Sequence, residues 1–314
     1  MNVSVIVPAY KVEAFLPACL SGLERCRADG EFLIVNDGSP DRCGEIARSF
    51  AARDSRFKAL DKENGGLSDA RNFGLDRAAG DAVFFLDGDD VLEPGALEDM
   101  VRAMEETGAD LTVGDARSFW ANGKETIVSS GARGTAEGEA LKPFVTRLYP
   151  AAWNKLYRRE LLERARVRFL PGVWFEDVAF FHCMFPYVEK LAALDRPVVG
   201  YRQREGSITA RPDPKLFDYL AVVDSFCAFY RERGLLPAWE NEAVFCAARY
   251  LLATFCKRAA KLPGDLPRQA AERALAFLNE TFPRWRENPY FTGLKGWYLK
   301  HFSARFLPIL RSIP

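Results

Sequence analysis

The first third of the chain alternates short apolar runs with segments in which apolar residues recur every three or four positions. The runs lie at residues 3–7, 32–35, 57–60 and 82–86. Such runs are typical of strands buried on both faces of a parallel sheet. The segments that follow them favour helices, as at residues 94–106, where Leu97, Met100 and Met104 share one helical face. This order predicts an α/β fold with a doubly wound, mostly parallel sheet.

The pattern changes near Gly114. Asn122 and Gly123 predict a hairpin turn, and a mixed region then extends to about residue 210, with a loop at 131–138 and a short strand at 153–157. From Pro212 onward the apolar spacing predicts mainly helices. We therefore expect an α/β region that divides near residue 115 and a helical region over residues 211–314.

The charge balance and the cysteines narrow the class of protein. The 314 residues include 43 Lys and Arg and 43 Asp and Glu, which argues against a nucleic-acid binder because such proteins carry a basic excess or a basic face. The seven cysteines form no C-x-x-C pair, and scattered thiols indicate a reducing, cytoplasmic location. We expect neither a secretory signal nor a membrane-spanning helix, since no cationic segment precedes the first apolar run and no stretch of about 18 uncharged apolar residues occurs.

The residues that follow each predicted strand are the candidates for chemistry, because ligands of an open parallel sheet bind outside the carboxyl ends of its strands. Those residues are Pro8 and Tyr10 after the first run, Asp37 after the second, and Asp87, Asp89 and Asp90 after the fourth. No glycine-rich phosphate loop follows the first run. Because carboxylates repel phosphate unless a divalent cation lies between them, the acids predict a Mg²⁺ or Mn²⁺ ion that bridges to a diphosphate.

Several short segments carry a resemblance to a known family. In order they are VIVPAY (5–10), VNDGS (35–39), NGGLSDARN (64–72), FLDGDD (85–90), WNKLY (153–157), ED (176–177), YR (201–202) and SIT (207–209). Over roughly residues 1–210 the chain resembles a family 2 glycosyltransferase with the GT-A fold. The resemblance implies a metal-dependent, inverting enzyme that moves a sugar from a nucleotide donor, usually a UDP-sugar, to a hydroxyl of a glycan or glycolipid, in bacterial surface polysaccharide synthesis. Residues 1–115 would then form the nucleotide-sugar-binding half, and residues 116–210 the acceptor-binding and catalytic half.

The resemblance also assigns the nucleotide contacts. The positions concerned are Pro8, Tyr10, Asp37, Asn64, Arg71 and Asp87, with Asp89 as the metal ligand. Pro8 and Tyr10 would frame the base, and Asp37 would accept a hydrogen bond from N3–H of uracil. Asp87 would bind the ribose, and Asn64 and Arg71 would reach the nucleotide. Plainer roles stay open: Asp37 as a turn residue, Tyr10 as a packing residue and Arg71 as half of a surface ion pair.

Transfer to a hydroxyl needs a base, because a hydroxyl does not ionise unaided at neutral pH. The resemblance implies that Asp177 is this base and that Glu176 binds sugar or acceptor hydroxyls. Both acids also suit the first turn of a helix, where the helix dipole favours negative charge, and the two roles are compatible.

Further residues complete the expected site. Trp153 and Lys155 would shape the acceptor site, although a tryptophan at this place is also typical of a core. Arg202, Arg204 and Ser207 would form a lid that closes over the diphosphate. Some relatives have a histidine in this loop that binds the metal, and the nearby residue here is Arg204, so the protein-derived ligands beyond Asp89 stay open.

Two other functions compete with this hypothesis. A sugar-phosphate nucleotidyltransferase shares the sheet type but would need a glycine-rich segment after the first strand, which is missing. A non-catalytic nucleotide-sugar-binding protein would not need both Asp89 and Asp177.

The segment 283–314 differs from the rest in composition. It contains Arg284, Arg286, Lys295, Lys300, Arg305 and Arg311 against a single acid, Glu287, with seven aromatic residues among them. Such a segment fits peripheral contact with an anionic membrane on the inner face of the plasma membrane. It equally fits a helix that packs its aromatic side chains on the core.

Overall fold

The computed structural model describes residues 1–204 and 212–307, which fold as two compact units. The first unit contains residues 1–172 and 187–204, and the second contains residues 173–186 and 212–307. The second unit thus includes the segment with Glu176 and Asp177 as well as residues of the region expected to be helical. We describe each unit by itself.

The first unit is built on a single mixed sheet. Its strands are β1 (Val3–Ala9), β2 (Gly30–Asp37), β3 (Phe57–Lys62), β4 (Ala82–Phe85), β5 (Val91–Leu92), β6 (Leu111–Trp120), β7 (Glu125–Val128), β8 (Gly134–Glu137), β9 (Lys155–Arg158) and β10 (Lys190–Gln203). The order is β3-β2-β1-β4-β9-β6-β10-β5, with β7 beside β6 and β8 beside β10. Strands β3, β2, β1 and β4 are parallel, and β10 is parallel to β6. The predicted α/β fold with a doubly wound sheet is confirmed.

Six helices of this unit connect the strands. They are α1 (Leu16–Glu24), α2 (Cys43–Ala51), α3 (Leu67–Leu75), α4 (Ala96–Thr107), α5 (Lys142–Arg147) and α6 (Arg159–Ala165). The apolar spacing predicts the buried face of α4 correctly, since Leu97, Met100 and Met104 are all fully buried. Helix α2 begins at Cys43. Before it, the Ser39 hydroxyl donates to Asp41 and accepts from the Lys11 backbone N–H.

The second unit is helical, as expected for most of its length. Its helices are α7 (Glu176–Met184), α8 (Asp218–Glu232), α9 (Leu236–Ala248), α10 (Cys256–Ala259), α11 (Leu266–Thr281) and α12 (Gly293–His301), with a π-helical segment at Arg249–Phe255. Within the described ranges no helix is both long and apolar enough to cross a membrane.

Candidate active site

The carboxyl ends of β1, β2 and β3 come together at one edge of the sheet. Their register pairs Ala9 with Asn36 and Asp37 with Lys62. Pro8 is buried within β1, whereas Tyr10, just beyond it, is exposed. Gly88, in the acidic turn after β4, packs so closely that a Cβ there would lie 2.9 Å from the Pro8 carbonyl oxygen. The turns after β1 and β4 are therefore neighbours, as the strand-end rule predicts.

Asp37 is a buried carboxylate surrounded by donors. Oδ1 accepts from Lys62 Nζ at 2.7 Å and from the Gly65 N–H at 2.9 Å. Oδ2 accepts from the Gly66 N–H at 2.8 Å and from Asn64 Nδ2 at 3.1 Å. Since a carboxylate offers about four lone-pair sites, Asp37 is saturated and holds the 64–66 turn against the end of β2. A contact with uracil would have to replace one of these four bonds.

Lys62 is a residue of this edge that the sequence analysis misses. Its ammonium group lies between Asp37 and Asp69, with Nζ–O distances of 2.7 and 2.5 Å. Although burial lowers the pKa of Lys62, its hydrogen bonds to the two aspartates raise it more. The signal that could have found Lys62 is the strand-end rule itself, but the predicted third strand stops at Leu60 and the observed strand continues to Lys62.

Arg71 and Asp87 form an ion pair at the same edge. Arg71 is fully buried on α3, and its Nη2 donates to Asp87 Oδ1 at 2.7 Å. Its guanidinium carbon also lies 5.1 Å from the centre of the Phe169 ring. The structure therefore brings together two of the predicted nucleotide residues, and it excludes the alternative that Arg71 is part of a surface ion pair.

The two arginines at the end of β10 lie on the acidic turn after β4. Arg204 Nε donates to Asp89 Oδ2 at 2.8 Å. Arg202 Nε donates to the Asp89 carbonyl oxygen at 2.8 Å, and the Arg202 N–H donates to Asp90 Oδ1 at 2.8 Å. The predicted lid residues thus contact the predicted metal ligand directly. Ser207, the third predicted lid residue, lies outside the described residues.

Three carboxylates lie in this turn, and their surroundings test whether a divalent cation fits. Burial and the nearby Asp87 raise the pKa of Asp89 above its usual value, against the opposing effect of Arg204. Burial, together with Asp87 and Asp89, raises the pKa of Asp90 well above its usual range. Asp90 Oδ2 has no hydrogen-bond partner within the described residues. Hard carboxylate oxygens are suitable ligands for Mg²⁺ or Mn²⁺.

The described residues do not by themselves provide a complete set of metal ligands. Across residues 1–204 and 212–307, no three His, Cys, Asp or Glu side chains converge into a metal-binding group. Mg²⁺ in proteins commonly takes one or two carboxylates and completes its shell with water and substrate phosphates. The residues after β4 therefore fit a cation that binds together with a diphosphate.

Trp153 and Lys155 lie in the interior of the first unit. The Trp153 ring stacks on Tyr201, with ring centres 5.0 Å apart. Lys155 Nζ donates to the carbonyl oxygens of Tyr149 and Ala151, each at 2.6 Å, and to Asn154 Oδ1 at 2.7 Å. The two residues fix the 149–154 loop, so any effect on an acceptor would pass through that loop. Their predicted direct role stays a prediction.

Glu176 and Asp177 begin α7 in the second unit. Glu176 is buried and Asp177 half-buried. The start of the helix is anchored to α8, because the Trp174 N–H donates to Asp218 and the Phe175 ring stacks on Tyr219 with centres 3.9 Å apart. The two acids thus occupy the first turn, where the helix dipole stabilises their charge.

Comparisons with known proteins agree with these features. The sequence profile described as "Glycosyl transferase family 2" matches residues 4–166. The chain is 34% identical to the uncharacterized glycosyltransferase EpsJ of Bacillus subtilis over 84% of this chain and 79% of EpsJ. It is 33% identical to the putative glycosyltransferase EpsH of the same organism over 76% of this chain and 72% of EpsH.

Among solved structures, S. aureus TarS 1–349 in complex with UDP aligns with a TM-score of 0.75, over 99% of this chain and 90% of that one. At 19% identity this likeness concerns the fold, and it confirms the predicted GT-A fold. The profile spans more than half of the chain, and the two relatives exceed 30% identity over most of its length. This chain therefore belongs to family 2 of the glycosyltransferases.

Proposed function

We propose that this protein is an inverting transferase that moves a sugar from a UDP-sugar to a hydroxyl of a glycan or lipid-linked acceptor. The observation that carries the proposal is that Asp37, the Arg71–Asp87 pair and Asp89 lie at one edge of the sheet. Two structures of S. aureus TarS, one in complex with UDP and one with UDP-GlcNAc, have the same fold and support a uridine nucleotide. Similarity to the minor teichoic acid biosynthesis protein GgaB, over 38% of this chain and 14% of GgaB, supports an acceptor in polysaccharide or teichoic acid synthesis.

The nucleotide would bind across the turns after β1, β2 and β4. Tyr10 is exposed and would lie against the base, beside the buried Pro8. Asp37 is held among cationic and amide donors, and a uracil N3–H would take the place of the longest of its bonds, the 3.1 Å one from Asn64. Asp87, held by Arg71, would accept from the ribose hydroxyls.

The acidic turn would receive the diphosphate. We assign Asp89 as the residue that holds a divalent cation, and such a cation would neutralise the charge that develops on the leaving diphosphate. Arg204 would turn from Asp89 to a phosphate oxygen, for which guanidinium has a suitable donor geometry. Arg202 would stay on the turn, because it also holds the Asp89 carbonyl and lies over the Phe15 and Phe119 rings.

Asp177 would accept the proton of the acceptor hydroxyl as that hydroxyl attacks the anomeric carbon. The anomeric centre develops oxocarbenium character and inverts as the diphosphate departs. Position in the first turn of α7 stabilises the ionised form of Asp177, which is the form a base requires. Glu176 would bind sugar or acceptor hydroxyls beside it.

Ligand binding tests the nucleotide and metal assignments. UDP should raise the melting temperature more with Mn²⁺ than with EDTA, and Asp89→Asn should remove that difference. Asp61→Asn is the matched control, because Asp61 lies at the end of β3 on the same edge and is exposed. A difference that persists in Asp89→Asn, or an equal loss in Asp61→Asn, would refute the role of Asp89.

Turnover tests the chemistry. A screen of nucleotide sugars that measures UDP release should identify a donor, and Asp177→Asn should reduce kcat by at least about 10²-fold with UDP affinity unchanged within a few-fold. Glu160→Gln is the control, since Glu160 is a first-turn acid of another helix, α6. Unchanged turnover in Asp177→Asn would exclude Asp177 as the base.

A further inference from the structure

One face of α12 exposes large apolar side chains to solvent. Leu294 is 89% exposed and Trp297 is 55% exposed. They lie three residues apart and so occupy the same side of the helix. The His301 ring stacks on Trp297 with centres 4.8 Å apart, one further turn along that side. Among the described residues Leu294 is the most exposed large apolar side chain.

The opposite face of α12 is firmly packed, so the exposure is not the result of a frayed helix. Leu299 is buried, and the Tyr298 hydroxyl donates to the Leu252 carbonyl at 3.2 Å. Gly296 lies so close to the preceding chain that a Cβ there would come within 2.1 Å of the Phe291 carbonyl carbon. The helix therefore presents Leu294 and Trp297 in a fixed orientation.

Positive charge surrounds these apolar side chains. Lys295, Lys300 and Arg305 are all exposed, and no acidic residue occurs between positions 288 and 307. The acid that precedes this segment, Glu287, forms an ion pair with Arg284. A local basic excess therefore accompanies the exposed apolar face in a chain whose formal net charge is zero.

We propose that this face of α12 docks on an anionic phospholipid surface, with Leu294 and Trp297 in the interface and the lysines on the headgroups. Tryptophan is favoured at the membrane–water interface because its ring is apolar and its N–H is polar. Each lysine or arginine near an anionic surface strengthens binding by roughly five-fold. Charge favours a membrane over a second copy of this chain, since a symmetric dimer would place the same positive residues opposite one another.

This docking is independent of the transferase proposal, because it uses neither the sheet edge nor Asp177. Its test is therefore a binding assay that does not depend on transferase activity. The full-length protein is floated with vesicles of phosphatidylcholine alone and of phosphatidylcholine mixed with phosphatidylglycerol. We expect binding only to the mixed vesicles, with loss of binding between 0.15 M and 1 M salt, where the Debye length falls from about 8 to about 3 Å.

Two variants separate the apolar and the electrostatic contributions. The double substitution Leu294→Ser and Trp297→Ser should reduce binding about tenfold or more. Charge reversal by Lys295→Glu and Lys300→Glu should reduce it by at least about 25-fold. Circular dichroism and thermal melting establish that both variants are folded, which the exposed positions of all four residues favour.

Two matched control variants test for non-specific binding to the vesicles. Ile127→Ser removes a side chain that is 59% exposed on β7, beside Glu125. Lys261→Glu reverses an exposed lysine of the second unit outside α12. Neither should change vesicle binding by more than about two-fold. Equal partition of wild type and both α12 variants would overturn the proposal, as would binding to phosphatidylcholine alone. A wild-type dimer that the Leu294 and Trp297 substitutions convert to a monomer would assign the face to a second copy instead.

Discussion

Replacing Lys62 with methionine should destabilise the protein far more than a typical loss of a strand lysine. Lys62 Nζ lies 2.7 Å from Asp37 Oδ1, and the two side chains are 11% and 3% exposed. At an effective dielectric constant near 20, unit charges at that distance attract by about 6 kcal/mol. Burial of both groups offsets part of this attraction, and removing one partner of such a pair usually costs about 3–5 kcal/mol. Three amide donors remain on Asp37 in the variant, so we expect about 3 kcal/mol.

Lys58→Met supplies the comparison. Lys58 lies on the same face of β3, four residues earlier, and pairs with Glu31 at 2.6 Å. Its side chain is 54% exposed, however, so its loss should cost about 1 kcal/mol or less. Urea unfolding at 25 °C, followed by circular dichroism, gives both values if the dependence on urea concentration is unchanged.

The pH dependence has a defined sign. The pKa of Lys62 is raised, so the stabilisation it provides is fully present below its usual value near 10.5 and is lost as the pH rises through the higher folded value. The difference in unfolding free energy between wild type and Lys62→Met should therefore be constant around neutral pH and should disappear in strong alkali. If Lys62→Met loses no more unfolding free energy than Lys58→Met, the conclusion that Lys62 neutralises a buried carboxylate is refuted.

Two further predictions concern other buried groups. Burial, with a smaller contribution from Arg249, lowers the pKa of His182 well below its usual value. The stability that neutral His182 provides is therefore lost as the pH falls below about 6.5, by up to about 1.4 kcal/mol per pH unit. The unfolding free energy of His182→Gln should therefore fall less than that of wild type between about pH 7 and pH 5. All seven cysteines are buried, and burial raises the pKa of Cys26 and Cys43 to about 11 and that of Cys183 and Cys246 to about 12. A thiol reagent at about pH 8 should leave the native protein unlabelled and modify seven thiols after unfolding; rapid labelling of the native protein would contradict the burial.

The sheet could be predicted where burial alone determines the pattern. Strands β1, β2 and β4 are apolar runs in the sequence. In the structure β1 and β4 are buried throughout, and β2 is buried at every position except Gly30 and Asn36. Strand β10 could not be predicted in the same way. Its fourteen residues include Asp195, Arg196 and Pro197, and its pairing with β6 shifts register on either side of Pro197. A bulge of this kind depends on the partner strand and leaves no periodic signal.

The candidate site shows the same limit. The strand-end rule predicts that Asp37 and Asp87 share an edge of the sheet, since the rule depends only on parallel strand order. The Arg204–Asp89 contact joins residues 115 positions apart in the chain. The sequence around either residue does not predict this contact, because the contact depends on the position of β10 in the sheet. Lys62 lies beyond the predicted strand because the observed β3 is two residues longer than its apolar run.

The contact between Arg204 and Asp89 has a consequence for how ligands would bind under the proposed function. Arg204 occupies the carboxylate oxygen that a cation would use, while a diphosphate would attract the same guanidinium. Movement of Arg204 to phosphate frees Asp89, so UDP should strengthen Mn²⁺ binding, and by linkage Mn²⁺ should strengthen UDP binding by the same factor. Arg204→Gln removes the competing cation, so calorimetry should show Mn²⁺ alone binding about tenfold more tightly and UDP with Mn²⁺ binding more weakly. Unaltered Mn²⁺ affinity in Arg204→Gln would mean that the arginine does not compete for Asp89, and the coupling would then have to arise from direct contact between the cation and the diphosphate alone.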